Sequence, residues 1–159
     1  MLGPTGFIFK LQETGLMNIG ILIESVNQVD NAKKYIEALE NRNYNVCIFS
    51  DLLLVVDNAC FSTAELLFFD GSIIAFSNNS LNKQKHINTI KKIIWISSCD
   101  SFDKHNDVIH LMEAQRDERY KIVFNEEENL VDIKEVRRRS GIDPITINNK
   151  EELYSVLSE

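Results

Sequence analysis

The side chains best equipped for chemistry in this 159-residue chain stand where its apolar runs end. Glu24, Ser25 and Asn27 follow the first run and Ser50 and Asp51 the second. Ser77 with Asn78, Ser97 with Ser98, and finally Asn125 follow three later ones. If the runs are strands of an open α/β sheet, these residues gather outside its carboxyl edge, where such sheets bind ligands. Hydroxyls, carboxamides and carboxylates there suit hydrogen bonding to a sugar or a nucleotide, and they equally suit the solvated loops that cap ordinary strands.

The motifs that would sharpen this chemistry are missing. Loops that cradle phosphate need glycine so that backbone N–H groups can approach the ligand, and neither G-x-G-x-x-G nor G-x-x-x-x-G-K-[ST] occurs. The turn after the first run contains no glycine at all. There is no G-x-S-x-G elbow to expose a nucleophilic serine, so no residue is assigned a catalytic role. His105 and His110 are five apart and would point to different faces of one helix, and His86 lies far from both, so no metal site is expected. No cofactor is expected either.

The elements that must carry these residues alternate. "NIGILIES" (18–25) is a nearly continuous apolar run rich in isoleucine, as a strand buried on both faces requires. A helix follows, with Ala32, Tyr35, Ile36 and Leu39 on one stripe, Asn27 or Asp30 as its cap and Asn43 near its end. "NVCIFSD" (45–51) returns to strand character, so residues 18–51 form a βαβ unit with a right-handed crossover. The middle offers a short strand at 59–63 and a helical turn at 64–69 ended by Gly71. Strands are then predicted at 72–77, 91–99 and 120–125, with Trp95 as core. Between them fall a polar helix or loop from Asn78 and a helix over 101–118 with Phe102, His105, Ile109 and Met112 on one stripe. A further helix places Glu126, Glu127 and Glu128 at its start and Arg137, Arg138 and Arg139 at its end, each matching the dipole it faces, with Gly141 just beyond. "DPITINNK" then reads as an extended linker, and "KEELYSVLSE" as a short helix folding back on the domain. With no hairpin signal between runs, the pattern predicts a Rossmann-like doubly wound, mostly parallel α/β sheet with helices on both faces.

Composition narrows the partners. Seventeen basic against 24 acidic residues give a net charge of −7, which argues against nucleic acid and anionic membranes as partners. No segment reaches the roughly 20 apolar residues of a membrane span. Cys47, Cys60 and Cys99 form no C-x-x-C pair and read as buried, reduced thiols of an intracellular protein. Residues 1–16 hold three of the six glycines and read as an extended N-terminal arm before a single domain at 17–159. Phe7, Ile8 and Phe9 would be costly to leave in water, which suits an arm that reaches onto another subunit.

Two stretches carry a family likeness. "MNIGILIESVNQVDNAKKYIEALENRNYNVCIF" resembles the opening βαβ unit of glycosyltransferases of the two-Rossmann-domain (GT-B) type. "YKIVFNEEENLVDIKEVRRRSGIDPITINN" resembles the segment closing their N-terminal, acceptor-binding domain, with Arg138, Arg139, Gly141, Ile142, Ile147 and Asn148 in place and Asn149 where glycine is usual. The likeness covers about half the chain. It implies a Rossmann-like fold whose sugar-nucleotide donor would be held by a second domain, and such a domain does not fit within this length. Glu127 and Glu135 reproduce the family's E-x7-E spacing, but in the closing helix of the first domain, where it carries no donor role.

Three readings follow. The favoured one is a non-catalytic, glycosyltransferase-like module serving protein interaction or assembly, with itself or another chain, and the Asn- and Ile-rich composition suits a viral or phage structural component. It would sit in the cytoplasm or within a virion. The second is a glycosyltransferase-type enzyme or fragment whose partner supplies the nucleotide-sugar site. The third is a regulator that binds a nucleotide or another small ligand.

Overall fold

Strands covered on both faces need apolar side chains at consecutive positions, and the isoleucine-rich runs supply them. The computed structural model describes residues 17–76, 89–96, 116–125, 134, 137, 138, 141 and 145–158. Within it, seven strands form one sheet: β1 (Asn18–Leu22), β2 (Asn45–Phe49), β3 (Cys60–Phe61), β4 (Gly71–Ala75), β5 (Ile90–Ile96), β6 (Tyr120–Asn125) and β7 (Ile145–Ile147). Their order is β3-β2-β1-β4-β5-β6-β7, and every neighbouring pair is parallel. The chain therefore has the doubly wound, Rossmann-like α/β fold that the alternation predicts.

β1 lies between β2 and β4, and all five of its residues are buried. Ile19, Ile21 and Ile23 face one side, where they meet Ile48, Ile74, Ile94 and Val123. α1 (Val29–Glu40) closes that side with Ala32, Tyr35, Ile36 and Leu39, the stripe read from the sequence. The opposite face gathers Leu22, Phe49, Ile73, Trp95 and Phe124 with Leu66 of a 3-10 helix (Thr63–Phe68), so helical segments flank the sheet on both sides. Fully burying side chains of this size contributes on the order of 1.5–3 kcal/mol each. The surface pair of Lys91 and Asp70, 3.7 Å apart and at least half exposed, adds little by comparison.

Several details depart from expectation, each for a local reason. The α1 cap is Gln28, which makes no side-chain cap bond, so neither Asn27 nor Asp30 serves; a 3-10 turn (Val26–Gln28) leads into the helix instead. Asn43 does end the segment, in a left-handed conformation (φ 65°) that asparagine tolerates. Gly71 opens β4 rather than closing a helical turn. β5 carries one extra residue, Lys91, because Gly71 pairs with Ile90 and Ser72 with Lys92. That bulge lets Ile90 and Ile93 share one face despite their odd spacing. It also turns Lys92 inward, where its Nζ donates to the carbonyls of Val156 (3.1 Å) and Leu157 (2.9 Å) at the end of the last helix.

The expected linker is a strand. β7 extends the sheet beside β6, pairing Val123 with Ile145 and Asn125 with Ile147. Asn149 then caps the terminal helical segment, a 3-10 turn (Lys150–Glu152) running into α2 (Leu153–Ser158). Its Oδ1 accepts from Glu152 N–H (3.1 Å), while Glu152 Oε2 accepts from Asn148 N–H (2.7 Å), a variant of the reciprocal capping box. Leu153, Val156 and Leu157 pack into the α1 side of the core, as the expected fold-back requires. The Arg42 guanidinium stacks 4.0 Å over Tyr154. Gly141 has φ 69° and donates to the Arg137 carbonyl (2.9 Å), as a residue just past a helix end does. The arm and the elements expected at 78–88, 101–115 and 126–133 lie outside the described residues.

Two glycines are fixed by close approach. A Cβ on Gly20 would meet the ring of Phe49 (2.7 Å) and Ile73 Cδ1 (2.8 Å), whereas one on Gly71 would run into the backbone carbonyl of Asn18. Side chains yield more readily than backbone. Gly20→Ala should therefore cost about 1–3 kcal/mol and Gly71→Ala more, an order that thermal denaturation of the two variants checks.

Candidate ligand site at the switch in strand order

Strand order reverses direction between β1 and β4, so the crevice of a doubly wound sheet opens above their carboxyl ends. Residues leaving β1 and β2 meet there, and five of the eight predicted residues (Glu24, Ser25, Asn27, Ser50 and Asp51) follow those two strands. Ser77 and Ser97 lie outside the described residues. Asn125 ends β6.

These polar groups are engaged with the chain itself. The Glu24 N–H, which a phosphate-binding turn would offer to its ligand, donates to Gln28 Oε1 at 2.9 Å. The Ser25 carbonyl accepts from Gln28 N–H (3.1 Å), and the Ser25 hydroxyl bonds to Asn27 Oδ1. Ser50 is buried, donates its hydroxyl to the Ile23 carbonyl (2.7 Å) and accepts from Leu52 N–H (3.2 Å). That serine ties the loop after β2 to the end of β1. Asp51 reaches the start of the next 3-10 helix, accepting from Thr63 N–H (2.9 Å) and the Thr63 hydroxyl (2.6 Å). It serves the helix start that the adjacent Ser62 leaves without a side-chain cap.

Asn125 is placed differently from these five. It is fully buried, and its Nδ2 donates to the Tyr35 hydroxyl at 2.9 Å, joining β6 to α1 below the rim. A carboxamide at a strand end is placed by the same pattern whether it faces solvent or core, so spacing alone did not separate the two. The charged members of the rim, Glu24 and Asp51, are both acidic and would repel a phosphate. Val26, 71% exposed, occupies the turn where phosphate loops place glycine. Among the described residues, no group of three His, Cys, Asp or Glu side chains could hold a metal ion.

The thiols differ from expectation in one respect. Cys47 is buried, and loss of solvation pushes its pKa up to about 12, whereas Cys60 on the edge strand is exposed. The registers that pair Gly20 with Cys47 and Ile48 with Cys60 put the two thiols on opposite faces of the sheet, since side chains alternate along a strand.

Sequence reasoning missed a second feature. A cleft of about 400 Å³ runs along α1, lined by Lys33, Ile36, Glu37 and Glu40 on the helix and by Val55, Val56, Asp57 and Asn58 on the β2–β3 connection. Its only sequence signal is the run of five apolar residues at 52–56, which shows no single period.

The fold and the rim define an α/β protein of Rossmann-like architecture with a glycine-free, internally bonded first turn. Comparisons with protein-family models, with curated proteins and with solved structures gave no significant match to the chain.

Two outcomes test this account of the buried polar and thiol groups. Tyr35→Phe should destabilise the protein by about 0.5–1.5 kcal/mol, the net worth of the hydrogen bond it removes, measured by denaturant unfolding. In a variant that keeps Cys47 alone, the thiol should resist a disulfide reagent at pH 8 until the protein is unfolded, because the thiolate is the reactive form.

Proposed function

We propose that the chain is a non-catalytic Rossmann-like module that acts through protein contacts, in interaction or assembly. The observation that carries this reading is the closed first turn: the Glu24 N–H at the switch point is taken by Gln28, and Ser25, Ser50 and Asp51 beside it bond within the chain. A fold is by itself no guide to activity.

Apolar side chains left in water support the same reading. Leu53 is 101% exposed and Val55 93%, and Val26, Leu67 and Phe68 are also exposed. Phe7, Ile8 and Phe9 add three large apolar residues within the first sixteen, where an arm would present them to a neighbouring subunit. The partner in this reading is a protein, either a second copy or another chain. Nucleic acid is disfavoured by the charge of −7. A role as a viral or phage structural component rests on composition and the arm.

Among the described residues, no helix is long and apolar enough to cross a membrane. The GT-B likeness of the first βαβ unit and the closing segment leaves a glycosyltransferase-type or ligand-binding role as the outcome that would replace the module reading. A ligand at a hundred times its Kd adds about 2.7 kcal/mol of stability, which raises the melting temperature by roughly 5–10 °C for a chain of this length. UDP- and GDP-sugars at millimolar concentration should produce no rise, and a rise of that size would overturn the proposal. Deleting residues 1–16 should change the sedimenting species, and an unchanged monomer would remove the arm from the account.

A further inference from the structure

Parallel strands that neighbour one another are joined by right-handed crossovers that usually carry a helix, and successive crossover helices cover one face of the sheet. β1 to β2 follows this rule through α1. β2 to β3 does not: residues 50–59 contain no helix, and the connection runs as an extended strap. Its side chains divide by alternation. Leu54 and Val56 pack onto the α1 side of the core, while Leu53 and Val55 point outward, 101% and 93% exposed. Asn58 fastens the far end of the strap, donating to Glu40 Oε1 (2.9 Å) and to the Val46 carbonyl (3.1 Å).

A strap is thinner than a helix, so the layer beside α1 is left incomplete. The cleft of about 400 Å³ lies there. Ile36 and Val56 give it apolar surface, and Leu53 and Val55 extend that surface outward along the strap. Among the described residues that line it, Glu37, Glu40 and Asp57 outnumber Lys33 by three to one.

We propose that the cleft between α1 and the strap receives an amphipathic helix of a partner protein, carrying an apolar stripe flanked by Lys or Arg, in the place a second crossover helix would fill. The proposal rests on the interaction-module reading and names its surface and partner. Apolar residues at i, i+3, i+4 and i+7 would meet Leu53, Val55 and Val56, as in other helix-in-groove contacts. Basic flanks would face Glu37, Glu40 and Asp57. A second copy of a chain with net charge −7 lacks that complementarity overall, and the acidic margin turns nucleic acid away.

The test is an amide-shift titration of the full-length, ¹⁵N-labelled protein with two synthetic helical peptides of about 16 residues, long enough to lie along the whole of α1. Both carry the same leucine stripe, one flanked by lysine and the other by glutamate. The lysine peptide should shift the amides of residues 33–41 and 52–58 to saturation, and the glutamate peptide should bind at least about tenfold more weakly, a difference of 1.4 kcal/mol. Leu53→Ser with Val55→Ser, and separately Glu37→Lys with Asp57→Lys, should each weaken the lysine peptide by a similar factor, with the melting temperature unchanged. Equal binding of the two peptides, shifts centred elsewhere or no saturable shift would overturn the proposal. So would a dimer dissolved by the Leu53 and Val55 changes, which would give the surface to a second copy. A failed titration removes this site and leaves the module reading standing; stabilisation by a nucleotide-sugar removes the module reading itself.

Discussion

The burial of β1 on every side is the constraint from which the rest of the structure follows. Flanked by β2 and β4 and covered on both faces, it must be apolar at consecutive positions, and it must keep a glycine where Phe49 and Ile73 close over Gly20. Isoleucines on one face of the strand receive α1, and the opposite face receives the aromatic cluster around Phe49 and Trp95. Because the chain leaves β1 toward β2 on one side and returns to β4 on the other, the switch in strand order sits directly above this strand. The place where such a fold binds ligands is therefore dictated by a strand buried at every position.

At that place the chain has used its polar groups on itself. Gln28 closes the Glu24 amide, Ser50 bridges the ends of β1 and β2, and Asp51 starts the next helix. Each bond is modest, about 1 kcal/mol net. The outward side chains of the strap, by contrast, gain from being covered. On this balance rests the proposal that the chain works through contacts along α1 and not through a ligand at the switch point.

Strands β1, β2, β4, β5 and β6 were legible because doubly buried strands announce themselves as apolar runs. The strands expected over 18–25 and 45–51 end at Leu22 and Phe49, three and two residues earlier, because the polar residues beyond them turn into loops. β7 is not legible because three residues at a sheet edge, of which Ile147 is buried and Thr146 exposed, carry too little periodicity between Asp-Pro and Asn-Asn to separate a strand from a linker. The inward turn of Lys92 depends on the bulge at Lys91, which exists only once Gly71 and Ile90 are paired. The Asn149–Glu152 cap could have been found, since N-x-x-E before an apolar stripe is a helix-start signal. At the site, residue types were legible and their partners were not: Gln28 for Glu24 is a local contact, but Tyr35 for Asn125 spans 90 positions.

The most direct measurement is the response of the Glu24–Gln28 amides to pyrophosphate and to UDP in an amide-shift titration. The Glu24 amide should be protected from hydrogen exchange by its bond to Gln28 and should not move as either anion is added to millimolar concentration. A saturable shift of Glu24, Ser25 and Val26 would show a turn that opens for phosphate and would contradict the account.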